Sequence, residues 1–146
     1  RTFAEMENQR RRFEKEKEEA YQYGGFNFAK EALNLIDNLE RSKQILQNDE
    51  TLKNSDALKK ILEHFDIIYK DTLSVFSKNN IKPIDCLNKK LDPNFHQAML
   101  EIEDDKVEPG TIIQEIQSGF MFGARLLRPS FVGISKKKDT KNKKKD

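Results

Sequence analysis

The sequence is poor in the residues from which most active sites are built. Cys86 is the only cysteine, so no intrachain disulfide forms and nothing points to secretion. No neighbour in sequence would lower its pKa, and an inert thiol is expected. His64 and His96 lie far apart with no second ligand at metal spacing, which argues against a metal site. His64 reads as a packed or edge histidine. His96, just after Pro93-Asn94-Phe95, reads as a hydrogen-bonded structural one. The six glycines are scattered and none opens a Gly-Lys-Ser/Thr triplet, so neither a P-loop nor a dinucleotide fingerprint is present. No apolar run approaches the ~20 residues of a membrane span, and no signal-peptide pattern is visible. The chain opens at Arg1 rather than Met, so a preceding natural stretch is expected. These absences lead us to expect an intracellular, soluble protein that is not an enzyme and uses no cofactor.

Apolar residues are scarce as well. Hydrophobic and charged residues each make up 36% of the 146-residue chain, a poor ratio for a compact monomer. The charge must sit on extended surface, or a second chain must complete the core; both are expected. The net charge of +2 is uneven, because Lys136 to Asp146 holds seven Lys against two Asp and leaves residues 1–135 at −3. A mildly acidic body argues against nucleic-acid binding. The tail has no apolar side chain and is expected to be disordered and solubilising, with weak binding to acidic surfaces as the alternative.

Three textures follow one another along the chain. From Arg1 to about Gln47 there is no proline, and Arg10 to Glu19 interleaves both charge signs at i, i+4 spacing. Phe3, Met6, Phe13 and Ala20 form a sparse stripe suited to one partner helix. Beyond Phe26 it broadens through Ala29, Ala32, Leu33, Ile36, Leu39 and Leu46, with Phe28 and Leu35 flanking. A continuous helix here would span roughly 70 Å. Gly24-Gly25 weakens it by about 1 kcal/mol per glycine, yet continuity is the expectation.

After a polar stretch at 47–54, Asn54 or Ser55 caps a second helix. Leu58, Ile61, Leu62, Phe65, Ile68, Tyr69, Leu73 and Phe76 share one face of it. It ends near Asn79-Asn80, before Pro83. Two chains contributing these helices would form a four-helix bundle.

From Ile81 onward all four prolines and four of the six glycines occur among short apolar runs. Glu108-Pro109-Gly110-Thr111 reads as a turn. Ile112–Gln117 is a predicted strand, and Gly119-Phe120-Met121-Phe122 begins another. Phe122-Gly123-Ala124-Arg125 suits a two-residue hairpin. Leu126–Arg128 and Phe131–Ser135 complete a small all-β module. The fold class is therefore α+β: a helical stalk and bundle region at 1–80, a β-domain at 81–135 and the tail at 136–146.

The order of these parts and several motifs resemble the GrpE family up to Lys136. The segments are Ala4–Arg12, Leu35–Arg41, Leu91–Met99, Val107–Ile112 and Gly119–Ser135. Each alone is weak; five in the right order are specific. The family usually has Asn-Gly where this chain has Gly123-Ala124, Phe-Gly where it has Asn79-Asn80, and helix formers in place of Gly24-Gly25.

The resemblance implies a homodimeric nucleotide exchange factor, active in protein folding and heat-shock response. One β-domain would grip the nucleotide-binding domain of a DnaK-type chaperone and promote ADP release. It implies a bacterial cytoplasmic location, with the mitochondrial matrix as the alternative. The dimer interface is expected at Phe3, Met6, Phe13, Leu33, Ile36, Leu39, Leu58, Leu62, Phe65, Tyr69 and Leu73. For the chaperone contact the candidates are Ile116, Met121, Phe122, Arg125, Arg128, Pro129 and Ile134. Arg125 matches an arginine implicated in chaperone contact. Ile116 and Ile134 match apolar contact positions, and the sequence leaves open that they are β-domain core instead. The rival readings are a homodimeric coiled-coil adaptor without exchange activity and a nucleic-acid-binding dimer using the Lys tail and Arg10-Arg11-Arg12.

Overall fold

A computed structural model of the chain describes residues 2–138. The expected disorder of the tail falls mostly on 139–146, outside those residues. Helix α1 (Thr2–Tyr23) buries no residue. Its order is local, from helix-forming side chains and exposed pairs such as Arg12–Glu16 at 3.2 Å, each worth about 0.3–0.5 kcal/mol. Helix α2 (Phe26–Asn48) buries Ala29, Leu33 and Ile36. Helix α3 (Asp56–Lys78) starts at Ser55, whose hydroxyl accepts from Ala57 N. It stops at Asn79 and Asn80, the latter at φ +62°, a left-handed position that asparagine tolerates at a helix end. Tyr69 Oη donates to Glu40 at 2.8 Å and Lys43 pairs with Asp66, so α2 and α3 are tied side by side.

The expected long first helix is present, but in two joined pieces rather than one unbroken run. Gly24-Gly25 forms a turn between α1 and α2, and helical bonding resumes at once with Ala29 N donating to Gly25 O at 2.8 Å. The physical reason is twofold. Two glycines give up the most backbone entropy on entering a helix, and the residues on either side are held elsewhere. Tyr23 and Phe26 both pack on Phe122, with ring centroids 5.4 and 6.2 Å apart.

The two glycines are not equivalent. A Cβ on Gly24 would lie 2.7 Å from the Ala20 carbonyl oxygen, whereas one on Gly25 meets nothing within 4 Å. Gly25→Ala is expected to stabilise the helices by up to about 1 kcal/mol, and Gly24→Ala to give no gain. Helix loss followed by circular dichroism during heating checks this, and equal gains from both would contradict it.

Six strands follow: β1 (Ile81–Pro83), β2 (His96–Glu103), β3 (Ile112–Gln117), β4 (Phe120–Phe122), β5 (Arg125–Arg128) and β6 (Ser130–Lys136). They form two three-stranded sheets, β1-β4-β5 and β2-β6-β3, antiparallel throughout except for the parallel pair β2/β6. Strands β1 and β2 were not anticipated. The first is three residues long, and the second lacks alternation: only His96 is buried in it, and the register with β6 shifts between Ala98 and Leu100. The turn into β3 is as read, with Gly110 at φ +84° and Thr111 N donating to Glu108 O, as a type II turn requires.

The apolar interior has two parts. Leu33, Ile36 and Ala29 of α2 pack with Ile81, Phe120, Phe122 and Leu127, flanked by Tyr69, Leu73 and Phe76 of α3. A smaller cluster of Cys86, Ile112 and Val132 supports the second sheet, with Leu91 and Ile134 against it. The first sheet therefore shares its core with the helices, and the chain passes from helix to strand at residue 80 without a break in packing.

Candidate protein-binding site

The hairpin β4–β5 closes on the pair Phe122↔Arg125 around Gly123-Ala124. Gly123 sits at φ +58°, as the first residue of such a loop does, and its N–H donates to Asn80 O at 2.8 Å. The hairpin is thus fastened to the end of α3.

Its two arginines have different fates. Arg128 donates through Nη1 and Nη2 to the two oxygens of Asp37 on α2, both at 2.6 Å, and through Nε to Ser118 O at 2.8 Å. Gln117 Nε2 donates to the same carboxylate at 2.9 Å. Asp37 and Arg128 are only 12% and 14% exposed, so this forked pair is a pin between helix and β-region. Arg125 is 52% exposed, and its closest carboxylate, Glu19 of α1, is 3.8 Å away. Its guanidinium carbon lies 4.1 Å above the centre of the Tyr23 ring.

The remaining expected contact residues divide similarly. Phe122 is buried in the shared core and Arg128 is committed to Asp37, so neither offers a partner much surface. Their apolar and guanidinium composition suits an interface anchor, but the structure spends it internally. Ile134 is half-buried against the smaller core. Ile116 is exposed and lines a groove with Gln44, Arg41 and Phe131. Met121 is half-buried beside Lys82, Pro83 and Gly123, and Pro129 is half-buried. Leu87, Phe95, Met99 and Leu100 are exposed apolar residues that the reading passed over. The unalternated run Ala98-Met99-Leu100 was the one signal for the last two.

The expected dimer residues also separate. Leu33 and Ile36 are fully buried within the chain and Leu58 nearly so; their burial needs no second copy. Leu39, Leu62, Phe65, Tyr69 and Leu73 are half-buried. Phe3, Met6 and Phe13 are exposed on α1. Further apolar exposure on the helices takes in Ile61 and Ile68 of the expected α3 face and the flanking Phe28 and Leu35, together with Tyr21 and Val75, which the expected stripes leave out. Ile61, Ile68 and Val75 recur every seven residues on α3, and Tyr21, Phe28 and Leu35 do so across α1 and α2. A heptad count adds Tyr21 and Val75 to the residues already on the expected stripes.

Cys86 is buried and its thiol donates to the Glu115 carboxylate. Burial first, and then that carboxylate, pushes its pKa up to about 12, so it is protonated at neutral pH. His96 is buried, and its Nδ1 accepts from Asp92 N at 3.0 Å. Among the described residues no group of three or more His, Cys, Asp or Glu is placed to hold a metal, and no helix is long and apolar enough to cross a membrane.

Comparison with known proteins bears on the whole arrangement. The GrpE family profile matches residues 1–136. A protein GrpE from Bradyrhizobium sp. (strain ORS 278) is 44% identical over 137 residues, covering 93% of this chain and 66% of the relative. Those from Zymomonas mobilis and Rhizorhabdus wittichii are 41% and 43% identical over 133 residues, 91% of this chain and 68% and 72% of theirs. The chain spans about two thirds of the length of these curated relatives. With the match running through the helices, the Asp37–Arg128 pin and the Arg125 hairpin alike, the chain belongs to the GrpE family.

Proposed function

We propose that this protein is a nucleotide exchange factor: it binds the nucleotide-binding domain of a DnaK-type chaperone through its β-region and promotes ADP release. The carrying observation is the family match across residues 1–136, which takes in both the helices and the hairpin. Such a factor needs no nucleotide site of its own. It needs to bind the open, ADP-releasing state better than the closed one. About 4 kcal/mol of differential binding weakens ADP roughly a thousandfold.

The hairpin suits this work. Its backbone is fixed by the shared core and the Asp37–Arg128 pin, and Arg125 remains half exposed at its tip. A planar guanidinium there can meet a carboxylate with two parallel hydrogen bonds. Arg125→Ala is expected to cost about 2 kcal/mol of chaperone affinity, with Arg125→Lys recovering only part. Release of fluorescent ADP from a DnaK-type ATPase domain measures it. Wild-type release rates with Arg125→Ala would move the contact elsewhere, and no stimulation by the wild type would favour the adaptor reading.

The working unit in this proposal is a homodimer in the bacterial cytoplasm. A large apolar surface on a small chain calls for a partner. Tyr21, Phe28 and Val75 border, with Phe76, an apolar cleft of about 380 Å³, a recess that suits side chains from the helices of a second copy.

A further inference from the structure

Tyr23, the last residue of α1, touches the hairpin in three places. Its ring packs on Phe122 at 5.4 Å between centroids, and the Arg125 guanidinium carbon lies 4.1 Å above its centre. A Cβ at Gly123 would lie 3.2 Å from its hydroxyl, a tight contact that the ring would have to ease by a few tenths of an ångström, so the loop approaches the ring closely. Glu19, one turn earlier on α1, faces Arg125 from 3.8 Å with both side chains about half exposed; an ion pair of that kind adds little. The aromatic face is therefore the main restraint on a long side chain that would otherwise sample many rotamers. A guanidinium lying over a ring keeps its N–H groups, which point outward in its own plane, free for a partner.

We infer that Tyr23 is a positioning residue: it holds Arg125 at the hairpin tip with its donor edge turned toward a carboxylate of the chaperone. Helix α1 thereby contributes to partner binding without touching the partner through this residue. The inference rests on the reading that Arg125 makes that contact.

The test is a double-mutant cycle on the full chain, reading affinity for a DnaK-type ATPase domain and release of fluorescent ADP from it. Tyr23→Leu keeps apolar bulk against Phe122 but removes the ring, and is expected to weaken binding about fivefold. Tyr23→Phe keeps the ring and should stay within about twofold of wild type. In an Arg125→Ala background Tyr23→Leu should cost nothing further, because there is no guanidinium left to hold. A Tyr23→Leu loss that persists in that background would make Tyr23 a packing residue and overturn the inference. So would unchanged binding by Tyr23→Leu while Arg125→Ala is weak, and that result would leave the exchange function standing. Unchanged binding by Arg125→Ala itself would remove the contact and the inference together.

Discussion

Replacing Ile68 and Val75 with Asp is expected to convert the protein from dimer to monomer in sedimentation experiments while leaving its helices intact. Both side chains are more than two-fifths exposed in the single chain, and neither belongs to its buried clusters. Their loss should therefore not disturb the fold of one copy. Burying the exposed half of each against a second copy would contribute roughly 1 kcal/mol, and a homodimer carries four such side chains, about 4 kcal/mol in all. Losing all four weakens the dimer about a thousandfold, before the cost of burying four carboxylates. Asp at Leu33 and Ile36 should behave differently, because those residues are buried inside the chain; there the helical signal itself should fall. A double variant at 68 and 75 that stays dimeric would place the interface on another face, with α1 the first alternative.

Removing one side of the pin is expected to be strongly destabilising. Asp37→Ala leaves Arg128 as a nearly buried cation without its carboxylate, and should cost about 3 kcal/mol, the lower end for a broken buried pair because both groups retain slight exposure. Against a total of roughly 5–15 kcal/mol this is a large fraction. Asp37→Leu combined with Arg128→Met should lose clearly less, since no orphaned charge remains. Urea denaturation with an unchanged slope reads both differences directly. Equal losses in the two variants would mean that packing around the pair, rather than the pair itself, carries the energy.

What could be read from the sequence was what is decided locally. The Ser55 cap, the turn at Glu108–Thr111 and the hairpin at Gly123 each depend on a few adjacent residues whose backbone preferences agree. The apolar stripes announced the helices, and the family motifs announced the β-region. What failed depended on distance. The partner of Arg128 lies 91 residues earlier, at Asp37, so nothing near it separated a pinned arginine from an exposed one. Strand β2 exists through its parallel pairing with β6, a non-local contact that its own unalternated residues do not signal. Leu33 and Ile36 were correctly seen as an apolar face, but a stripe says that a face is covered and not by what. The Gly24-Gly25 joint was weighed by helix propensity alone, whereas Tyr23 and Phe26 are drawn to Phe122, nearly 100 residues onward.

The shared core has an evolutionary consequence. A chain cut at Asn80 would strip Leu33 and Ile36 of their strand-side cover and leave Phe120 without its helical floor. The β-region is consequently a poor unit of recombination: it cannot be shuffled onto another stalk unless α2 and α3 travel with it. Helix α1, which buries nothing, is under no such restriction. Its surface can drift more readily, apart from Tyr21 at the cleft offered to a second copy, as long as its final turn still delivers a ring to the hairpin. Inheritance in such a molecule is expected to be blockwise, with α2 through β6 changing together and most of α1 changing alone.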